Sequence, residues 1–398
     1  MLTSTAKFQS LAVRPEGPTS IADLLNSDEP QISLYVVTFL GATLVSISWS
    51  HCTMDGTAFS NLLTSWSAIL NDGKPMEAFP ELEDPVKDLG LKETPDHPLK
   101  GALLPFWSAL AFVFRSVMDR LSDPGVESRT FFFPGEWVSD LRKQCLDDII
   151  AAGLNAKIGS DSSSSNSKSP FISTNDVLLP YITKNYTTVN LAPKRPVAIL
   201  SLADIRCRMP SAFSESMAYL SNLLILSPTF TTPEELSSHP LGLQAAKVRE
   251  ALVAQMSDEE TVEGTLYMGR RMHEMLPLQK KAPYKTAIVL GSSDTFRTVV
   301  TNWDRMSFYD AVDFRSAVVD GCAEDGKEGG KRNEKGKPVH YFADTLSGGN
   351  NPWRHSWVIF GKDPEGDYWA SGWLPRKTWE TVEKDIRQGR LDTILGEL

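Results

Sequence analysis

The chain has 398 residues, with 40 Lys and Arg against 50 Asp and Glu, a formal net charge of −10, and 41% hydrophobic and 23% charged residues. That is an ordinary globular composition for two or three compact units, and it lacks the basic field that nucleic acid or an anionic membrane surface attracts. No run of about 18 apolar residues occurs, and the opening MLTSTAKFQS lacks a basic-then-apolar leader pattern. Four scattered cysteines (Cys52, Cys145, Cys207 and Cys322) fit free thiols in a reducing, cytosolic setting better than a disulfide framework or a zinc knuckle.

In chain order, Leu34 to Ser50 is rich in Val, Leu, Ile, Thr and Tyr without a helical period, which predicts two strands joined near Gly41-Ala42. From Gly56, the residues Phe59, Leu62, Leu63, Trp66, Ile69 and Leu70 fall at three-and-four spacing and predict an amphipathic helix. Residues 71–100 carry five prolines among many charges and read as a long surface connection. A strand over Arg129 to Phe133 precedes a helix that runs from Pro134 past Cys145 and Ile149. The tract GSDSSSSNSKS, residues 159–169, cannot bury apolar area and reads as a flexible crossover. Beyond it, Ser173-Thr174 caps a helix with Asp176 in its first turn, and Val197 to Ile205 is a strand. The Gly- and charge-rich segment 321–338 reads as an exposed loop. A hairpin pairs Trp357–Phe360 with Tyr368–Trp373 around Asp363 to Gly366, and a helix over Thr378 to Gln388 follows. Strands and helices thus alternate on both sides of the serine tract. The expectation is an α/β (α+β) fold of two lobes, residues 1–158 and 172–398, with 159–171 as the linker.

One segment carries chemistry. SISWSHCTMDGTAF places His51, Asp55 and Gly56 where an apolar strand gives way to the amphipathic helix. A strand end aims a side chain into a cleft, and an imidazole there is suited to general-base work near neutral pH. Asp55 need not touch that imidazole; it can pin the turn through an arginine. The competing reading makes His51 a core histidine bonded to a carbonyl and Asp55 a helix cap. No nucleophile elbow, P-loop or dinucleotide glycine motif occurs in a strand–turn–helix context. His97, His239, His273, His340 and His355 sit in polar or proline-rich settings and read as surface residues, with no metal-ligand spacing.

These residues resemble the BAHD acyltransferases, which move an acyl group from coenzyme A to a hydroxyl or amine. SHCTMDG is similar to their H-x-x-x-D-G signature, and FISTNDVLL (Phe171–Leu179) to the opening of their second lobe. ADIRCRMP (Ala203–Pro210) followed by AYLSN (Ala218–Asn222) resembles D-x-R-x-R…Y-x-G-N. VTNWDRMSFYDAVDF (Val300–Phe314) resembles T-S-W…Y-x-x-D-F-G-W-G, and DYWASGWL a late strand. The pieces occur in family order over roughly residues 30 to 395, and the phrasing around Trp303 and Tyr309 is closer to the fungal branch.

The resemblance implies a two-lobed fold like that of chloramphenicol acetyltransferase, with a channel between the lobes. It implies a monomer of secondary metabolism that binds acyl-coenzyme A as co-substrate and a small alcohol or amine as acceptor, without a metal. His51 is then the general base, and Asp55 a structural support paired with Arg206 or Arg208, which would face one way if they lay on a strand. The Gly56 backbone N–H is a candidate oxyanion donor, with Thr301 or Asn302 as the second, and Trp303 and Asp313 line the cleft. Two departures stand out. Arg315, Ser316 and Ala317 replace the Gly-Trp-Gly of D-F-G-W-G, and only fifty residues precede His51. The second departure raises the expectation of a first lobe missing its opening elements. A carrier-protein-dependent condensation domain and an inactive relative that only binds ligand remain as alternatives; Ser50 stands where such condensation domains usually carry a second histidine.

Overall fold

A computed structural model describes residues 9–78, 84–154, 170–275, 290–319, 335–345 and 353–391. The serine-rich tract 159–169 and most of the segment 321–338, with Cys322, lie outside the described residues. Short helices α1 (Gln9–Ala12) and α2 (Ile21–Leu25) precede the hairpin β1 (Ile32–Thr38) and β2 (Thr43–Trp49), then α3 (Gly56–Leu70). Next come β3 (Glu77–Ala78), α4 (Phe106–Ser122), β4 (Val126–Phe133), α5 (Gly135–Ala151) and α6 (Thr174–Ile182). The chain continues through β5 (Val197–Asp204), β6 (Met217–Ala218), β7 (Leu224–Thr231), α7 (Pro233–Ser238), α8 (Leu241–Met256) and α9 (Glu259–Met275). It ends with β8 (Phe296–Asn302), α10 (Phe308–Ala311), β9 (Ser356–Lys362), β10 (Tyr368–Pro375) and α11 (Arg376–Arg387).

The central sheet has six strands in the order β4-β10-β9-β8-β5-β7. β5, β8 and β9 run parallel, and β7, β10 and β4 pair antiparallel at the flanks. One face carries Val197, Ile199, Phe131, Phe133 and Trp357 and packs on Leu178, Leu179 and Ile182 of α6 and Trp379 of α11. Trp357 is fully buried, and its indole donates to Thr187 Oγ1 at 3.0 Å. A Cβ at Gly372 would stand 2.7 Å from that indole, so the neighbouring strand needs glycine there. α6 begins with a reciprocal capping box between Ser173 and Asp176. Burial raises the Asp176 pKa, because desolvation outweighs those two hydrogen bonds.

β4 and α5 precede the serine tract, yet β4 is an edge strand of this sheet and α5 packs on α8. The sheet is therefore not assembled from residues 172–398 alone. Closing a long loop costs only logarithmically more than closing a short one, so distant strands pair readily when the burial is large.

β1 and β2 form a separate hairpin turned through Phe39 and Ala42. Its β2 side packs on α3, where Ile47, Phe59, Leu63 and Trp66 meet Phe308. Opposite them in register, Ile32, Leu34 and Val36 of β1 are exposed. Trp107, Phe114 and Leu121 of α4 are exposed as well.

The segment 71–100 is more than surface connection. Glu263 accepts from the Gly90 and Leu91 N–H groups, Arg270 donates to the Val86 and Leu89 carbonyls, and Leu99 is buried. Two histidines expected at the surface are not there. His97 is buried with Nε2 3.0 Å from Thr265 Oγ1, because the 84–99 segment lies against α9. His355 is largely covered, edge-on to Phe296 at 4.6 Å and beside Asp119 of α4. His239 and His340 are exposed, and the His273 side chain lies outside the described residues.

Candidate active site

The turn that joins β2 to α3 is closed by its own backbone. The Ser50 carbonyl accepts from the Thr53 N–H at 2.9 Å and from Thr53 Oγ1 at 2.6 Å. The Trp49 indole donates to the Met54 carbonyl at 3.3 Å and stacks on Phe59 at 4.1 Å. His51 sits at the head of this turn with an exposed side chain. Its carbonyl accepts from Asn222 Nδ2 at 2.8 Å, and its ring lies 6.1 Å from that of Trp353.

Asp55 is wholly buried and caps α3. Its Oδ1 accepts from the Ala58 N–H at 2.9 Å and Arg206 Nη2 at 3.2 Å; its Oδ2 accepts from Arg206 Nη1 at 3.2 Å and the Leu223 N–H at 2.8 Å. Four donors saturate the carboxylate. Asp55 is therefore both helix cap and ion-pair partner. Arg206 in turn donates to Asp204 and to the Tyr219 and Ser221 carbonyls.

Arg208 takes no part in this. It and Arg206 lie on a 3-10 turn over Arg206–Arg208, not on a strand, because the Ile205 backbone is already right-handed helical. At three residues per turn, side chains two apart diverge, and Arg208 donates instead to the Met256 carbonyl at 3.1 Å.

Gly56 opens α3 at closest approach to the segment after β8. A Cβ there would lie 2.5 Å from Met306 Sδ and 3.6 Å from Trp303 Nε1. The first-turn N–H groups of a helix have no intrahelical acceptor and attract negative charge. Trp303 thus stands beside the motif, packed against Phe308 and Phe360. Asn302 is occupied locally: it donates to Asn175 Oδ1 at 3.2 Å and accepts from the Asp304 N–H at 2.8 Å. Thr301 lies on β8, half-buried.

Asp313 does not line the motif. Its N–H donates to Ser67 Oγ at 2.9 Å, near the far end of α3. Ser67 is eleven residues beyond Gly56, about 16 Å along the helix. The Arg315 guanidinium forks onto the Asp313 carboxylate, with Lys337 nearby, and these cations hold its pKa far below the usual range. Arg315 thereby gives D-F-R-S-A an ion pair of its own, and Ser316 Oγ donates to Asn71 Oδ1 at 2.7 Å.

Asn222 and the Leu223 N–H are the site contacts to which the sequence assigned no role. The Y-x-x-N spacing of AYLSN, directly before Leu223, was the available signal.

The model described as Transferase family matches residues 148–317. Among curated relatives, an O-acetyltransferase (PaAT-2) of Phomopsis amygdali is 27% identical over 397 residues, 97% of this chain and 76% of that protein. The acetyltransferase adrJ of Penicillium rubens is 27% identical over 383 residues, 94% of this chain and 71% of that protein. A crystal structure of F. sporotrichioides TRI101, complexed with coenzyme A and T-2, superposes with a TM-score of 0.57 at 17% identity, covering 91% of this chain and 70% of that one. At that identity the likeness is one of fold.

Proposed function

We propose that this chain is an acyl-coenzyme A-dependent O- or N-acyltransferase of fungal secondary metabolism, with His51 as general base. The observation that carries the reading is the saturated Asp55, which locks the turn while leaving the neighbouring imidazole exposed to a substrate. Support also comes from the curated acetyltransferases it resembles and from the coenzyme A complex of its structural relative.

In this reading His51 takes the proton of an acceptor hydroxyl or amine as that atom attacks the thioester carbonyl. The Gly56 N–H, at the positive end of α3, stabilises the tetrahedral oxyanion. The Trp303 indole N–H, alongside Gly56, is the second donor, ahead of the locally engaged Asn302. The intermediate collapses and His51 returns its proton to the departing coenzyme A thiolate. Asp55 and Arg206 take no proton; they fix the turn. Asn222, through the His51 carbonyl, fixes the backbone on the other side.

Release of free thiol from acetyl-coenzyme A, measured across a panel of alcohols and amines, tests this. Acceptor-dependent release that disappears in His51→Ala is the expected result. Release at the uncatalysed rate with every acceptor, by a folded protein, overturns it and leaves a ligand-binding relative.

A further inference from the structure

Arg297, the second residue of β8, is a half-buried cation without a counter-ion among the described residues. Its guanidinium carbon lies 3.4 Å from the centroid of the Phe112 ring on α4. Nε and Nη2 are both shut off from solvent and have no hydrogen-bond partner. Arg14, Arg206 and Arg249 leave only Nε in that state. Burial alone pulls the Arg297 pKa down, to about 9, with no carboxylate offsetting it. A ring face is a poorer partner than the hydration a guanidinium gives up on burial, so the packing against Phe112 does not account for a cation here.

A second orphan donor lies on the same sheet face. Trp373 is 3% exposed, and its indole N–H has no acceptor. Trp373 pairs with Ser356, and Ser356 with Val299, two residues on from Arg297 and hence on its side of the sheet. Two strand spacings and a two-residue offset along β8 put the Cα atoms of these two residues about 12 Å apart. Two unpartnered donors, with no acceptor for either among the described residues, describe a place for a group that only accepts. A guanidinium presents a planar fork to such a group and matches carboxylate or phosphate oxygens.

We infer that Arg297 anchors an oxyanion carried by the acyl donor, a coenzyme phosphate or a carboxylate on the acyl group. The inference rests on the acyl-transfer reading. The acceptor alcohol or amine need carry no anion, whereas every coenzyme A thioester carries phosphates. Arg297 is a binding residue and not a catalytic one. Six residues separate it from Trp303, which is about 20 Å along an extended strand, so the oxyanion it holds is remote from the reacting carbonyl.

Binding by titration calorimetry decides between the sources, with wild type, Arg297→Met and Arg297→Lys against four probes: coenzyme A, pantetheine, acetyl-coenzyme A and malonyl-coenzyme A. Loss of a charged hydrogen bond should weaken the relevant probe by at least about tenfold in Arg297→Met. A loss for coenzyme A but not pantetheine assigns the phosphate; a loss confined to malonyl- relative to acetyl-coenzyme A assigns the acyl carboxylate. Arg297→Lys keeps the charge but not the fork, so it should show a smaller loss for the same probe, and it carries the test if the Met variant does not fold. The Met variant should also unfold at a higher temperature than wild type, since it removes an uncompensated buried charge. Folded variants that bind all four probes as wild type does overturn the inference while leaving acyl transfer intact. A wild type that binds none of them overturns both.

Discussion

Asp55 and Arg206, 151 positions apart in the chain, meet through two contacts of 3.2 Å that hold the His51 turn against the segment after β5. The carboxylate is fully buried and the guanidinium side chain is only 11% exposed. Such a pair contributes modestly against a hydrophobic replacement, but breaking it strands a buried charge. Asp55→Ala should therefore cost about 3–5 kcal/mol of stability, read from urea unfolding, and should abolish turnover. Arg206→Lys should show a smaller loss in the same direction, since an ammonium keeps the charge but cannot fork across both oxygens. Wild-type stability in Asp55→Ala would remove the pair from the account of the turn.

His51 should behave differently. Its side chain is exposed and its contact with Asn222 runs through the backbone carbonyl. His51→Ala is expected to lower turnover by ~10²–10⁴ with an unchanged unfolding midpoint. Asn222→Ala should lower kcat by about tenfold or less, the weight of one neutral hydrogen bond, with little change in KM. A fall in stability for His51→Ala as large as that for Asp55→Ala would mean that the imidazole is part of the scaffold.

Gly56 tests the other side of the turn. Its missing Cβ would stand 2.5 Å from Met306 Sδ and 2.8 Å from Met306 Cε, the end of a flexible side chain. Gly56→Ala should cost about 1–3 kcal/mol by overpacking and should reduce turnover by displacing Met306 and the nearby Trp303. Combining it with Met306→Ala should restore stability. A Gly56→Ala variant as stable and active as wild type would show that the α3 start tolerates a side chain.

Local pattern made much of this fold legible. The strand pair around Gly41, the α3 stripe, the Ser173–Asp176 box and the β9–β10 hairpin are all encoded within a few residues. What was not legible depends on long-range packing. No local signal tells that β4 closes the sheet by pairing with β10, or that His97 is covered by α9. The site divides the same way. His51, Asp55 and Gly56 are one continuous motif. The choice between Arg206 and Arg208 turned on whether β5 ends at Asp204 or runs on, and one right-handed residue, Ile205, decided it. That Asp313 meets Ser67 near the far end of α3, away from the His51 turn, follows from the length of α3, which its own neighbours do not encode.

The covered histidines give the protein a definite response to acid. His355 is packed between Phe296 and Asp119, and burial lowers its pKa despite that carboxylate. Arg354 and Arg195 also face it and oppose protonation. His97 is shifted the same way, again by burial. A folded pKa below the unfolded one, about 6.5, means that the unfolded chain binds more protons between those two values. Stability therefore rises with pH in that window and is lost as pH falls below about 6.5. Asp119 does not produce this loss, since its own pKa is held below the usual carboxylate value by His355 and Arg354, leaving it ionised throughout. The thermal midpoint should drop between about pH 7 and pH 5. In His355→Asn, which cannot take up the proton and tolerates the positive φ of 60° at this position, that drop should be smaller. A wild-type midpoint that is flat across this range, or a variant with the same slope, would show that His355 is protonated as readily in the folded chain as in the unfolded one.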